Sequence, residues 1–224
     1  MAVNTAAYYT IKQQLVQAGA ILVAVSKTKP AEDILALYDA GQRDFGENYV
    51  QELVDKQAQL PGDIRWHFIG HLQSNKVKYI VPFVHLIHGV DSLKLLQEIN
   101  KQAKKIDRVI NCLLQVHIAQ EETKFGFDEQ ELLGIDPAAL RQLPNVAVIG
   151  LMGMASFTAD MHKVRTEFKL LKTLYDKFAV LTAGICNLSV LSMGMSSDYS
   201  IAAEEGSTMV RIGSLLFGAR EYNK

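Results

Sequence analysis

From Ile21 onward, short apolar runs alternate with longer stretches in which apolar residues recur every three to four positions. The short runs read as strands: ILVAVSK (21–27), RDFGE (43–47), RWHFIG (65–70), LIHGVD (86–91), VINCLLQVHI (109–118), VAVIGLMGM (146–154), LSVLSMGM (188–195) and TMVRIGSLLFG (208–218). Between them AEDILALYDAG, YVQELVDKQAQL, SLKLLQEINKQAKK and HKVRTEFKLLKTLYDKF carry the helical period. Pro30 and Ser92 suit helix starts, and Gly41 suits a helix end. Strands that alternate with helices predict parallel βαβ units. Eight is also the number that closes a (β/α)₈ barrel, a sheet without edges.

The competing architecture, a doubly wound open sheet, expects a glycine-rich turn after the first strand. That turn here reads SKTKPAED and has no glycine, and neither a dinucleotide fingerprint nor a P-loop occurs elsewhere. The expectation is an α/β chain of one domain, residues 1–224, forming a (β/α)₈ TIM barrel with an extra N-terminal helix. No linker, repeat or low-complexity segment interrupts it, and a second domain is not expected.

Composition narrows the partners. Of 224 residues 49% are hydrophobic and 21% charged, which suits a soluble protein with a sizeable core. A net charge of −1 gives no electrostatic reason to expect nucleic acid or an anionic membrane. No apolar run is long enough to span a bilayer, and the first residues lack the features of a signal peptide. Cys112 and Cys186 are isolated and read as reduced core residues. The expected location is cytoplasmic.

Candidate chemistry follows from the barrel. Active sites of barrels lie at the C-terminal ends of the strands. That rule gathers Lys27, Glu47, Asn48, His67, Met152, Met154, Ser192, Ser196 and Ser197 on one rim, with Arg211, Gly213 and Ser214 at the exit of the last strand. A lysine ending a buried strand either reaches out to water or is a partly desolvated amine, nucleophilic toward aldehydes. Lys29, directly before Pro30, is the competitor. The segments LSMGMSSD and RIGS combine small residues with hydroxyls after strands seven and eight, where many barrels hold a phosphate. Arg211 has two readings: an ion pair with Glu47, or a donor to a heterocyclic nitrogen or ligand oxygen. The pairs His67/His71 and His85/His88 have no third ligand, so no zinc site is expected.

At these residues the chain resembles the pyridoxal-phosphate homeostasis proteins, barrels related to the N-terminal domain of alanine racemase. The resemblance runs from about Ile21 to Arg220 through AVSKTKP, FGENYVQE, WHFIGHLQSNK, KFG at 124–126, GLM at 150–152, LSMGMSSD and GSTMVRIGSLLFG. It is looser at VHIAQEETKFG, around His117, and at GMAS, 153–156. The resemblance implies that Lys27 forms an imine with pyridoxal 5′-phosphate. It further implies that Ser196, Gly213 and Ser214 hold the phosphate, that Arg211 faces the pyridine nitrogen, and that Asn48 and His67 line the ring. The implied role is vitamin B6 homeostasis without strong catalysis, in a monomer that serves PLP-dependent client enzymes. The alternatives are a low-turnover amino-acid racemase and a barrel for some other phosphorylated metabolite. A racemase needs a second acid/base across the cofactor, supplied in alanine racemases by an added C-terminal domain that this chain is not expected to have.

Overall fold

The alternation of the strands closes the structure on itself. In the computed structural model, which describes residues 3–119 and 125–218, all eight strands are parallel and form a closed barrel in sequence order. In chain order the elements are α1 Thr5–Gln17, β1 Ile21–Val25, α2 Ala31–Asp39, β2 Asp44–Glu47, α3 Val50–Gln59 and β3 Arg65–Phe68. A 3₁₀ turn, Ser74–Lys76, then leads into α4 Val77–Ile80, β4 Leu86–Val90, α5 Leu93–Lys104 and β5 Ile110–Val116. The remainder is α6 Glu129–Leu133, α7 Pro137–Arg141, β6 Val146–Gly153, α8 Met161–Leu181, β7 Val190–Ser192, α9 Tyr199–Glu204, β8 Met209–Ile212 and α10 Ser214–Phe217. β8 returns to β1 in the register Ile21 to Met209 through Ala24 to Ile212. Closure leaves no unpaired edge to template association.

Side chains of a strand alternate between faces, so each strand feeds two layers. Leu22, Ala24, Phe45, Trp66, Phe68, Ile87, Leu114, Leu151, Leu191 and Val210 face the helices and join the main apolar core. Val23, Leu86, Leu113, Met152 and Met209 form a much smaller cluster inside the barrel. The buried polar side chains of Asp44, His67, His88, Ser192 and Arg211 share the interior with it.

Local signals act as expected. Ser92 accepts from Leu95 N–H and caps α5, and Gly41 takes φ +94° just past α2. The expected extra N-terminal helix is present. α10 is one turn long, and α1 packs against β1 and α10 through Tyr8, Ile11 and Leu15, so it covers the outer flank that a full eighth helix would occupy. All eight strands are shorter than their apolar runs, and the last two are cut back most. β8 stops at Ile212 because Ser214–Phe217 coils into α10, and β7 stops at Ser192 because Gly194, at φ +96°, turns the chain away. Lys124 of the KFG motif and Arg220 lie outside the described residues. Cys112 and Cys186 are free thiols, and burial pushes both pKa values up. No helix among the described residues is long and apolar enough to cross a membrane.

Candidate functional site

β1 alternates Val23 and Val25 into the barrel, and the next inward position past the strand is Lys27. Its side chain is half-buried and lines a cavity of about 340 Å³ at the C-terminal mouth of the barrel. The loop that carries it is tightly tied. Ser26 N–H donates to the Gly46 carbonyl at 3.0 Å, and Lys29 N–H donates to the Ser26 carbonyl at 3.0 Å. Thr28 adopts φ +64°, a costly conformation for a β-branched residue, and its N–H donates to Glu52 Oε1 at 2.5 Å.

Behind the loop sits a buried cation. Lys56 Nζ donates to the Ser26 carbonyl, Glu47 Oε1 and Glu52 Oε1, each at 2.7 Å, and Ser26 Oγ donates to the same Glu47 oxygen at 2.6 Å. Glu47 is fully buried; burial raises its pKa, and Lys56 and Ser26 pull it back. Lys56, on α3, thus braces the lysine loop from outside the barrel.

The opposite wall comes from the turns after β7 and β8. Ser196, Gly213 and Ser214 line the cavity, and Gly213 N–H donates to Ser196 Oγ at 3.3 Å, joining the two turns. Gly194 must be glycine here: besides its positive φ, a Cβ would stand 2.6 Å from that of Ala202. Arg211 also lines the cavity although it is only 4% exposed. Its Nη1 donates to Ser192 Oγ at 2.6 Å and its Nη2 to the Gly153 carbonyl at 3.1 Å. Burial lowers its pKa to about 10, with Asp198 opposing, so it stays a cation at neutral pH. Asn48 closes a third side. Its Oδ1 is buried and has no hydrogen-bond partner among the described residues.

Six of the seven sequence-derived candidates, Lys27, Asn48, Ser196, Arg211, Gly213 and Ser214, therefore meet at one cavity, and Lys29 joins them. The structure takes His67, Met152, Glu47 and the fully buried Ser192 off the cavity wall, and it decides between the two readings of Arg211. His67 does not line the cavity: the inward face of β3 places it 1% exposed in the barrel interior, bonded to Asp44 and His88. Met152 lies in the interior cluster rather than on the rim, while Met154 does reach the cavity. Arg211 does not pair with Glu47, because Glu47 shares the outward face of Phe45 and is taken by Lys56. Lys56 was not among the candidates; its signal was a lysine three residues after Leu53 on the buried face of α3.

The lining fits a small, flat, anionic molecule with an aldehyde. Lys27, Lys29 and Arg211 supply positive charge, and no Asp or Glu stands among the described lining residues. Val25, Ile69, Met154 and Phe217 give apolar walls for a ring, and the volume falls in the range of small-molecule sites. The orphaned Asn48 oxygen lacks what a ligand group would give it. Pyridoxal 5′-phosphate, a substituted pyridine with an aldehyde and a phosphate, meets each of these demands.

Comparison with known proteins agrees in kind. Residues 5–221 match the family profile described as alanine racemase, N-terminal domain. The chain is 44% identical to the pyridoxal phosphate homeostasis protein of Aquifex aeolicus over 202 residues, covering 90% of this chain and 87% of the relative. It is 40% identical to the human protein of that name over 213 residues, covering 91% and 78%. The structure of PipY from Synechococcus elongatus PCC7942, solved with PLP bound, superposes with a TM-score of 0.86 at 36% identity and covers 95% of this chain and 98% of PipY.

Proposed function

This chain belongs to the pyridoxal phosphate homeostasis proteins of the alanine racemase N-terminal domain family, and from that premise we propose that its cavity holds pyridoxal 5′-phosphate (PLP) on Lys27. The observation that carries the reading is the convergence of Lys27, Arg211 and the Ser196–Gly213–Ser214 turns on one cavity. Bound there, PLP supplies a reactive aldehyde. Lys27 would be the amine that holds this aldehyde covalently. Ser196, Gly213 and Ser214 hydrogen-bond the phosphate, and Asn48 faces the ring. Arg211 would present a permanent donor to the pyridine nitrogen and would keep that nitrogen unprotonated.

The same residues argue for holding and delivering the cofactor over turning it over. An unprotonated pyridine is a weak electron sink. Racemisation also needs acid/base groups on both faces of the ring. Among the described residues that line the cavity no His, Tyr, Cys, Asp or Glu is present, and both amines, Lys27 and Lys29, come from one loop. The reading is a carrier in vitamin B6 homeostasis, monomeric and cytoplasmic, with PLP-dependent enzymes as clients. The test is α-hydrogen exchange of L- and D-alanine in deuterated water with the loaded protein. Little exchange supports the carrier. Interconversion at turnover typical of an enzyme, about 1 s⁻¹ or faster, makes it a racemase instead.

The phosphate assignment has its own test. Ser196→Ala or Ser214→Ala removes one charge-assisted hydrogen bond, about 1.5–3 kcal/mol. PLP affinity then falls roughly 10- to 150-fold, whereas pyridoxal, which has no phosphate, is less affected. Equal losses for both ligands place the phosphate elsewhere.

A further inference from the structure

Behind Arg211 a file of buried side chains crosses the barrel interior from β8 to β2. Arg211 Nη1 meets Ser192 Oγ at 2.6 Å, and Ser192 Oγ meets His88 Nδ1 at 3.1 Å. His88 Nε2 meets His67 Nδ1 at 2.9 Å, and His67 Nε2 meets Asp44 Oδ1 at 3.0 Å. None of the five is more than 7% exposed. At the far end Asp44 is held by Arg65, at 2.7 Å from Nε and 2.5 Å from Nη2, and the Arg65 side chain is 48% exposed.

With both histidines neutral, the ends dictate the middle. Arginine can only donate and a carboxylate can only accept. Asp44 is ionised: burial alone would raise its pKa, but the hydrogen bonds from Arg65 and His67 outweigh this and lower it well below the usual range. A neutral His67 bonded to that carboxylate carries its proton on Nε2, so its Nδ1 is an acceptor. His88 must then carry its proton on Nε2, which leaves its own Nδ1 to accept from Ser192. With its one proton committed to His88, the Ser192 hydroxyl can offer Arg211 only a lone pair. His88 is neutral in this file, since burial, with the Arg211 cation beside it, pushes its pKa well below 6.5.

We propose that Ser192, His88, His67 and Asp44 are positioning residues that hold the Arg211 guanidinium toward the pyridine nitrogen through hydrogen bonds all donated in one direction, from Arg211 toward Asp44. The proposal rests on the PLP reading for what Arg211 faces; the direction of the file rests on the chain alone. It explains why the interior of this barrel carries two histidines where apolar side chains would fill the space at lower desolvation cost. It also separates His67 from the cofactor while giving it an effect on the cofactor's ring.

Side-chain ¹⁵N NMR of the protein without PLP reads the histidine tautomers directly. The expected result is His67 and His88 both neutral and protonated on Nε2. A proton on Nδ1 of either ring, or an imidazolium at neutral pH, overturns the proposal. The second measurement loads the protein with PLP labelled with ¹⁵N in the ring. Ser192→Ala should mix the His88 tautomers and move the ring-nitrogen resonance toward that of an unbonded pyridine, while Ser192→Thr, which keeps the hydroxyl, restores both. Asp44→Asn perturbs the file from its other end and should shift the same two signals. If neither Ser192→Ala nor Asp44→Asn moves the ring-nitrogen resonance, the file does not position Arg211. A wild-type protein that takes up no PLP sinks the functional reading instead, and the histidine resonances alone then decide the direction of the file.

Discussion

Lys27→Ala abolishes the visible absorbance of the PLP-loaded protein, and borohydride then fixes no cofactor to the chain. The Schiff base is the one covalent attachment in the account, and alanine has no amine to replace it. In the proposed site PLP would keep the hydrogen bonds of Ser196, Gly213, Ser214 and Arg211, so weak, dialysable binding should persist. Folding should be little affected: Lys27 is half-buried in the β1–α2 loop, and Ser26, Thr28 and Lys29 keep their backbone bonds. A thermal unfolding midpoint near that of the wild type separates loss of the site from loss of the fold. Lys29→Ala is the control and keeps the band. A reducible band that survives in Lys27→Ala and disappears in Lys29→Ala would reassign the amine.

The largest stability effect is expected away from the cavity. Lys56→Met leaves Glu47 fully buried without its cation, and removing one partner of a buried pair costs about 3–5 kcal/mol. Denaturant unfolding measures it. The pH dependence identifies the cause. The folded-state pKa of Glu47 is already raised by burial, and loss of Lys56 raises it further. For an acid with a raised folded pKa, the penalty is full above that pKa and disappears as pH falls and the folded protein takes up the proton first. The deficit of Lys56→Met should therefore be greatest at neutral pH and narrow on acidification. Adding Glu47→Gln should recover much of it. A deficit that is independent of pH, or unchanged in the double variant, would mean that Lys56 contributes through packing alone.

The barrel was legible because alternation and helical period are local properties of the chain. Eight apolar runs separated by amphipathic ones have few ways to bury every strand on both faces. Strand ends were less legible. GSLLFG continues the apolar run of β8, and composition cannot show that the chain coils after Gly213. The rim residues were found by placing them at strand ends, a rule that works for Lys27, Asn48 and Arg211, which all point inward. It fails where depth decides. His67 lies one residue before the end of β3, yet it faces a neighbouring histidine on β4, a contact between residues 21 apart that no local pattern encodes. Of the two readings of Arg211, strand alternation alone disfavours the ion pair with Glu47. Glu47 follows Phe45 by two residues and so shares its outward face, whereas Arg211 alternates with Val210 and Ile212 and faces in. The brace at Lys56 was hidden because a lysine on an amphipathic helix ordinarily points to water.

Borohydride reduction of the wild-type protein loaded with PLP, followed by proteolysis and mass spectrometry, identifies the lysine that carries the cofactor. Reduction turns the Schiff base into a stable secondary amine on whichever lysine holds the cofactor. Attachment at Lys27 predicts bleaching of the visible band and a pyridoxyl-phosphate mass on the peptide that contains Lys27. A label on Lys29 or Lys56, or a wild-type protein with no band to bleach at saturating PLP, would contradict it.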